Sequence, residues 1–345
     1  MKRAPKPLSK QIQKHATTPP KKKPELDGNT EVMISTGSTL LDLAISGGRV
    51  RGGGIPGGIM VEIFGPHSSG KTVLLCEIAG AIQRQKGSIM FHDPEGRLNK
   101  QFAKIFDLSI EDMEYTVPDT IPQVFGGIRK WEPKGGNIHG IIADSLAALS
   151  TNLEMDNEEG DKMGQRRAKE FSEGFRKNGR TLVEKNILMV CSNQLRESMN
   201  SYGPKYKAPG GEAIGFWSSL RLRTSIKEKI RPKKTIGGKE VIRVTGVVIE
   251  VEVFKNSVWE PDRNATLTIN FKYGIDDIRE NLQFVKRYKG LNFYALNGEK
   301  LNVSLEKSIQ LIEAGDLEDE LKNEVIDLWE SIEARFIVNR KPKQR

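Results

Sequence analysis

The chain has 345 residues, 54 lysines and arginines against 45 acidic residues, and a formal charge of +9. Its apolar content of 37% supports a core larger than one small domain needs, while no run of about 18 apolar residues is present to form a transmembrane helix. No apolar segment follows the basic start, so no signal peptide is expected, and the excess positive charge suits a polyanionic partner as well as plain solubility.

Residues 1–30 are basic and Pro-rich, with no acidic residue before Glu25, a composition that cannot bury itself. They read as a flexible arm that follows phosphates, lies on a neighbouring subunit, or only solubilises. Ordered sequence is expected from Val32, where Ser38 can cap a short helix over Leu40 to Ile45.

Met60 to Phe64 form an apolar run with the composition of a buried parallel strand, and Val73 to Ile82 repeat apolar residues at helical spacing. Between them, Gly65, Pro66, His67, Ser68, Ser69, Gly70, Lys71 and Thr72 fit G-x-x-x-x-G-K-[ST], the pattern of a phosphate-binding loop. The glycines let successive N–H groups turn inward, and the positive end of the next helix, opening through Val73, completes an anion nest. Lys71 would reach the β and γ phosphates of a nucleoside triphosphate, and Thr72 would offer its hydroxyl to Mg²⁺.

Gly87 to His92 make a second strand, ended by Asp93, Pro94 and Glu95. A carboxylate at that strand end lies on the ligand edge of an open α/β sheet, so Glu95 is a candidate to deprotonate the water that attacks the γ phosphate. The alternative is a solvated turn carboxylate. Asn99 to Ile105 read as helix, Tyr115 to Val117 as a third strand, and Gln123 to Lys130 as a crossover helix. Ile138 to Ala143 form another apolar strand, whose following Asp144 would hold Mg²⁺ opposite Thr72, usually through water. His139 reads as a packed core residue.

Asn152 to Arg167 are a polar loop leading into a helix that carries Arg166, Arg167 and Lys169. Ile187 to Cys191 form a buried strand with Ser192, Asn193, Gln194 and Arg196 at its polar end, and Glu197 to Gly211 lack any hydrophobic period, as a mobile loop would. Cys191 and Cys76 both lie in apolar stretches without metal-like spacing, as reduced core thiols of a cytoplasmic protein do. Phe216 to Thr224 and Val247 to Phe254 alternate apolar and polar residues around a basic hairpin connection, Lys227 to Lys239, and Leu267 to Phe271 add a strand. These predict an antiparallel extension of the sheet. Residues 281–334 read as a small, mainly helical domain, and residues 335–345 as a basic tail.

Taken together, these segments resemble the RecA-type homologous recombinases. The match runs from about Val32 to Trp329 and rests on ISTGS before the first helix, VEIFGPHSSGKT at the loop, DPEGRL after the second strand, IIADSLAAL at the metal strand and EEGDKMG beyond it. SNQLR, PGGEAIGFWSSLRLR, VFKN, YGID and NFYALNGEKL continue it in order. The resemblance implies a RecA-like P-loop ATPase core over residues 31–280, with a doubly wound, mostly parallel sheet, plus a small α/β C-terminal domain.

It further implies an ATP-dependent and Mg²⁺-dependent recombinase that forms helical filaments on single-stranded DNA, pairs with homologous double-stranded DNA and exchanges strands. Mediator or single-strand-binding proteins are implied as further partners. In that frame Glu95 is the catalytic glutamate, Gln194 senses the γ phosphate, Phe102 stacks on adenine, and Asn99 stands where the family usually has aspartate beside the base. Two DNA-binding loops are implied, at about residues 152–167 and 195–211. Met163 and Tyr202 would wedge between or stack on bases, with Gly164, Arg166, Arg167, Arg196, Lys205, Lys207, Gly210 and Gly211 around the strand. Lys255 corresponds to one of two lysines that reach a neighbour's γ phosphate, the second position being Ser257 here. Two other classes share parts of this pattern: a hexameric ring helicase of the same core, and a DNA-binding regulator that uses ATP only to switch assembly.

Overall fold

The computed structural model describes residues 32–156, 163–197, 206–207, 213–337 and 340. The arm at residues 1–30 lies outside them. The described chain enters through α1 (Thr39–Ser46), capped by the Ser38 hydroxyl, which accepts from the Leu41 amide. Then come β1 (Met60–Gly65), α2 (Lys71–Arg84), β2 (Ile89–His92), α3 (Lys100–Ala103), β3 (Met113–Thr116), α4 (Ile121–Gly126) and β4 (His139–Ala143). They are followed by α5 (Asn152–Asp156), α6 (Met163–Glu184), β5 (Ile187–Gln194), β6 (Arg196–Glu197), β7 (Tyr206–Lys207) and α7 (Ala213–Trp217). β8 (Leu220–Ile230), β9 (Lys233–Ile236), β10 (Lys239–Ile242), β11 (Gly246–Asn256), β12 (Asn264–Asn270) and β13 (Gly274–Ile275) complete the sheet region.

A nine-stranded sheet takes the order β13, β12, β11, β8, β1, β5, β4, β2, β3. From β8 to β3 neighbouring strands are parallel, and β8, β11, β12 and β13 pair antiparallel, so the doubly wound core and its antiparallel extension are both present. β1, β2 and β4 are buried along their whole length, because helices cover both faces of a parallel sheet. Val61, Ile63, Ile142 and Val190 pack with α2 on one side. Met60, Ile141, Met189 and Cys191 pack with α4 and α6 on the other. Burial on both faces means that any polar side chain within these strands needs a built partner.

Several elements depart from the sequence reading. Phe216 and Trp217 belong to a helix rather than to the strand, which starts at Leu220. The five residues of α7 turn because Ile214 packs fully into the core, and the Ser218 amide and hydroxyl both return to its carbonyl. The crossover helix is confined to Ile121–Gly126, set by a capping box between Thr120 and Gln123 and by Pro122 in its first turn. The basic connection is itself structured: β8 extends to Ile230, and β9 and β10 form a separate two-stranded hairpin.

The C-terminal segment holds α8 (Asp277–Tyr288), the β14–β15 hairpin (Tyr294–Leu296 with Glu299–Asn302), α9 (Leu305–Ala314) and α10 (Glu318–Glu333). Its apolar cluster, with Leu282, Val285, Ile312, Leu321 and Trp329, takes in Leu43 from α1. Arg263 adds a two-pronged ion pair to Glu333, at 2.7 Å on each prong, with its guanidinium 5.4 Å from the Trp329 ring centre. The exposed pairs from Arg51 to Asp327 and Glu330 contribute little, since water screens them.

Where α1, α2 and α8 meet, buried carboxylates gather. Burial pushes Asp42 up to about 6 and Glu77 up to about 7, and it raises Asp277 and Glu280 as well. Asp42 accepts from the Ser35 hydroxyl and from both the amide and hydroxyl of Thr36, and Asp277 accepts from the amide and hydroxyl of Thr39. A carboxyl whose folded value is raised favours the fold fully below the ordinary carboxylate range, and that contribution is lost as pH rises through the folded value. For Glu77 the loss falls between about 4.5 and 7. Glu77→Gln is therefore expected to raise Tm by about 2–5 °C at pH 7.5, with the gain shrinking towards pH 5, as thermal melts of both chains would register. An equal gain at both pH values would remove Glu77 ionisation as the cause.

Candidate functional site

The phosphate-binding loop lies between β1 and α2, and Pro66, His67 and Ser68 at its tip are exposed. Gly70 has φ of +80°, and a Cβ there would come within 2.5 Å of Ile269 Cδ1. A Cβ on Gly65 would come within 2.4 Å of the Thr224 carbonyl oxygen, so the loop is pressed against β8 where no side chain fits. Ser69 braces that contact: its hydroxyl donates to the Pro66 carbonyl and lies 2.6 Å from the Thr224 hydroxyl. Lys71 is nearly enclosed, and its ammonium donates to the carbonyls of Gly65 at 3.1 Å and Pro66 at 2.6 Å. Burial holds Lys71 below the usual lysine range, against the opposing pull of Asp144 and Glu95.

Thr72 and Asp144 converge although 72 positions apart, the threonine hydroxyl donating to Asp144 Oδ2 at 2.6 Å. Asp144 Oδ1 accepts from the Ser192 hydroxyl at 2.5 Å. Among the described residues no cluster of three or more His, Cys, Asp or Glu could hold a metal. A hydroxyl and a single carboxylate at the rim of a phosphate cradle form the donor set that suits Mg²⁺ shared with a triphosphate. The two glycines without room for Cβ and the enclosed cation equally fit nucleotide phosphates.

Glu95 sits on a turn after β2, closed by the Gly96 amide donating to the Asp93 carbonyl, with Gly96 at φ +62°. Asp93, 2% exposed, anchors the turn by accepting from the Leu98 amide and the Tyr115 hydroxyl, both at 2.8 Å. The Glu95 carboxylate is mostly covered and pairs with Arg97 at 2.7 Å. Asn99 caps α3 by accepting from the Phe102 amide at 2.9 Å. Phe102 is half-buried against Phe106, with ring centres 5.0 Å apart. A Cβ on Gly274 would come within 3.2 Å of Phe106 Cε1 and 3.5 Å of Ile105 Cγ2, so the turn after Tyr273 packs near the same corner. Val73, half-buried, packs on the main core from the first turn of α2. His139 is buried and accepts from the Ser88 amide through Nδ1, a packing role.

Gln194 ends β5 directly beside Gly65, its register partner on β1, and the Leu195 amide donates to the Gly65 carbonyl at 3.2 Å. The chain from 195 onward thus departs from the edge of the phosphate loop. Arg196 and Lys207 are backbone register partners in the short β6–β7 ladder. Met163 and Gly164 open α6, on which exposed Arg166 lies 3.8 Å from Glu170, and Arg167 donates to the Ala147 carbonyl at 3.0 Å. Tyr202, Lys205, Gly210 and Gly211 lie outside the described residues. Lys255 is placed away from Lys71's loop contacts: its ammonium donates to the carbonyls of Gly215 and Phe216, and burial, then the charge of Arg221, lowers it below the usual lysine range.

Sequence reasoning did not find Asp93, Ser192 or Thr224 as supports of the site. The signal for Asp93 was available, since an aspartate at a strand end before proline is a natural turn anchor. Ser192 and Thr224 come from distant strands and carry no local signal.

Comparison with known proteins agrees with this arrangement. Residues 6–276 match the RecA N-terminal domain family. The chain is 32% identical over 298 residues to the protein RecA of Borrelia hermsii, covering 85% of this chain and 80% of that one. It is 32% identical over 301 residues to the protein RecA of Thermus thermophilus, covering 86% and 85%, and 32% identical over 302 residues to that of Delftia acidovorans, covering 86% and 78%. A phosphate loop abutting the strand end that starts a second loop, within a match of this extent, places the chain in the RecA family of recombinases.

Proposed function

We propose that this protein is an ATP- and Mg²⁺-dependent recombinase that assembles as a helical filament on single-stranded DNA, pairs it with a homologous duplex and exchanges strands. The observation that carries the reading is the hydrogen bond from the Leu195 amide to the Gly65 carbonyl, beside the Gly65 and Gln194 register pair. It ties the residue that opens the phosphate loop to the residue that opens the second DNA loop. A rearrangement around the γ phosphate therefore moves the base of the DNA loop, which is how nucleotide state would set DNA affinity.

In this mechanism the loop N–H groups and Lys71 bind the phosphates, the ammonium exchanging the Gly65 and Pro66 carbonyls for phosphate oxygens. Thr72 and Asp144 would hold Mg²⁺, which would supply positive charge to the phosphates. Glu95 takes the proton of the attacking water. Gln194 reads the γ phosphate, and Phe102 covers the adenine. Lys255, leaving the Gly215 and Phe216 carbonyls, reaches the nucleotide of the adjacent protomer. Met163 and Tyr202 stack on bases, while Arg166, Arg167, Arg196, Lys205 and Lys207 meet phosphates, so sequence is read by base pairing rather than by side chains. The reaction is cytoplasmic, with mediator or single-strand-binding proteins as further partners. Among the described residues no helix is long and apolar enough to cross a membrane.

Electron microscopy together with a strand-exchange assay, with ATP and single-stranded DNA, tests this on the wild type and Lys71→Ala. Helical filaments, exchanged product and DNA-stimulated ATP turnover are expected for the wild type, and none of them for the variant. Closed rings that unwind DNA with one polarity would favour a helicase. Turnover indifferent to DNA would favour a regulator.

A further inference from the structure

β1 carries one charged side chain, Glu62, and its side chain is only 1% exposed. Each carboxylate oxygen has its own partner from a different neighbouring strand. Oε1 accepts from Asn193 Nδ2 on β5 at 2.9 Å, and Oε2 accepts from Arg221 Nε on β8 at 2.7 Å. The two partners lead in opposite directions. Asn193 also accepts the Gln194 amide through Oδ1 at 2.9 Å, which fixes the residue beside the phosphate loop. Arg221 lies over the Phe64 ring at 4.5 Å and against Gly215, where an added Cβ would come within 2.8 Å of its guanidinium carbon. Gly215 belongs to α7, and Lys255 holds its carbonyl and that of Phe216.

We infer that Glu62 is a positioning residue through which the nucleotide site and the far end of the second loop respond as one unit. The inference rests on the functional reading above, in which Gln194 reports on nucleotide and the 195–211 loop meets DNA. The physical reason is the cost of an uncompensated buried charge. If Asn193 moves with Gln194, the Glu62 carboxylate loses one of its two partners and must follow or shift its whole interaction onto Arg221. A shift of Arg221 changes its packing against α7, because its guanidinium lies against Gly215. The segment where the chain resumes after the second loop is thereby linked to the segment where it leaves, by contacts independent of the loop itself. That continuity of packed and hydrogen-bonded groups is a physical route for coupling, and mutant cycles decide whether it carries any.

The test uses the full chain, a thymidine homopolymer as single-stranded DNA, and two variants, Glu62→Gln and the charge-free pair Glu62→Gln with Arg221→Gln. The second removes both ions together, so it keeps the experiment readable where the first fails to fold. ATP turnover with and without DNA, KM for ATP, DNA affinity with and without ATP, and Tm are measured. Expected for each folded variant are DNA-free turnover and KM within about twofold of wild type. The stimulation by DNA, and the gain in DNA affinity caused by ATP, are expected to fall at least about fivefold, the lower edge of ordinary coupling. The double variant is expected to recover Tm relative to Glu62→Gln without recovering stimulation. A lowered Tm with unchanged stimulation, or stimulation restored in the double variant, overturns the inference by leaving Glu62 a structural residue only. Wild-type turnover indifferent to DNA overturns the functional reading itself, and this inference with it.

Discussion

Replacing Glu95 by glutamine is expected to lower ATP turnover by about 10²–10⁴-fold while nucleotide binding persists, the usual contribution of a positioned general base. The proposed role rests on its setting: its turn is pinned by Asp93, and the carboxylate is mostly covered and close enough to Lys71 to act on its charge, as Asp144 does. Glutamine keeps the size and can still accept a hydrogen bond from Arg97, so the turn has no reason to open. What it loses is the capacity to take a proton. Steady-state turnover set beside binding of a fluorescent ATP analogue separates the two effects. Turnover retained within a few-fold would move the base to another residue, and lost binding would make Glu95 part of the fold of the cradle.

Asp144→Asn carries the second large effect, directed at Mg²⁺. Asp144 receives two hydroxyl donors, Thr72 and Ser192, on its two oxygens. Asparagine can accept one of these and donate to the other, since a hydroxyl serves either role, so the local structure survives. The negative charge does not. A carboxylate that holds the ion through water is an outer-shell partner, and such losses weaken metal affinity or activity by about 10–100-fold. The Mg²⁺ concentration giving half-maximal turnover is expected to rise by that factor, with Tm in the absence of Mg²⁺ nearly unchanged. An unchanged Mg²⁺ requirement would show that Thr72 and phosphate oxygens suffice.

Much of this site was legible before folding because its parts are contiguous. The phosphate loop needs Gly65, Gly70, Lys71 and Thr72 at fixed offsets between a strand and a helix, so spacing alone carries the chemistry. Glu95 and Asp144 follow apolar strands, and a parallel sheet brings the C-terminal ends of its strands to one edge. The Ser38 cap, the buried Cys76 and Cys191, and the antiparallel extension were likewise read from local pattern. Where the reading slipped, two periods competed. The run from Phe216 to Thr224 alternates well enough to resemble a strand throughout, and only the burial of Ile214 and the return of Ser218 to its carbonyl turn the first part into helix.

By itself, then, the amino-acid sequence determined the phosphate cradle, the ends of the strands that carry Glu95, Asp144 and Gln194, and membership of the fold class. Each depends on residues within a few positions of one another or on apolar runs that any α/β sheet would bury. Tertiary structure alone decided the partners: Ser192 on Asp144, Thr224 on Ser69, Arg221 and Asn193 on Glu62, and Leu195 on Gly65. Ser192 reaches Asp144 across 48 positions, and the others join β1 and its loop to β5 and β8 across more than a hundred; strand order, not sequence spacing, chooses the neighbours. A charged residue in a strand buried on both faces announces in the sequence that it needs a partner. Which partner it finds is settled only when the sheet is assembled.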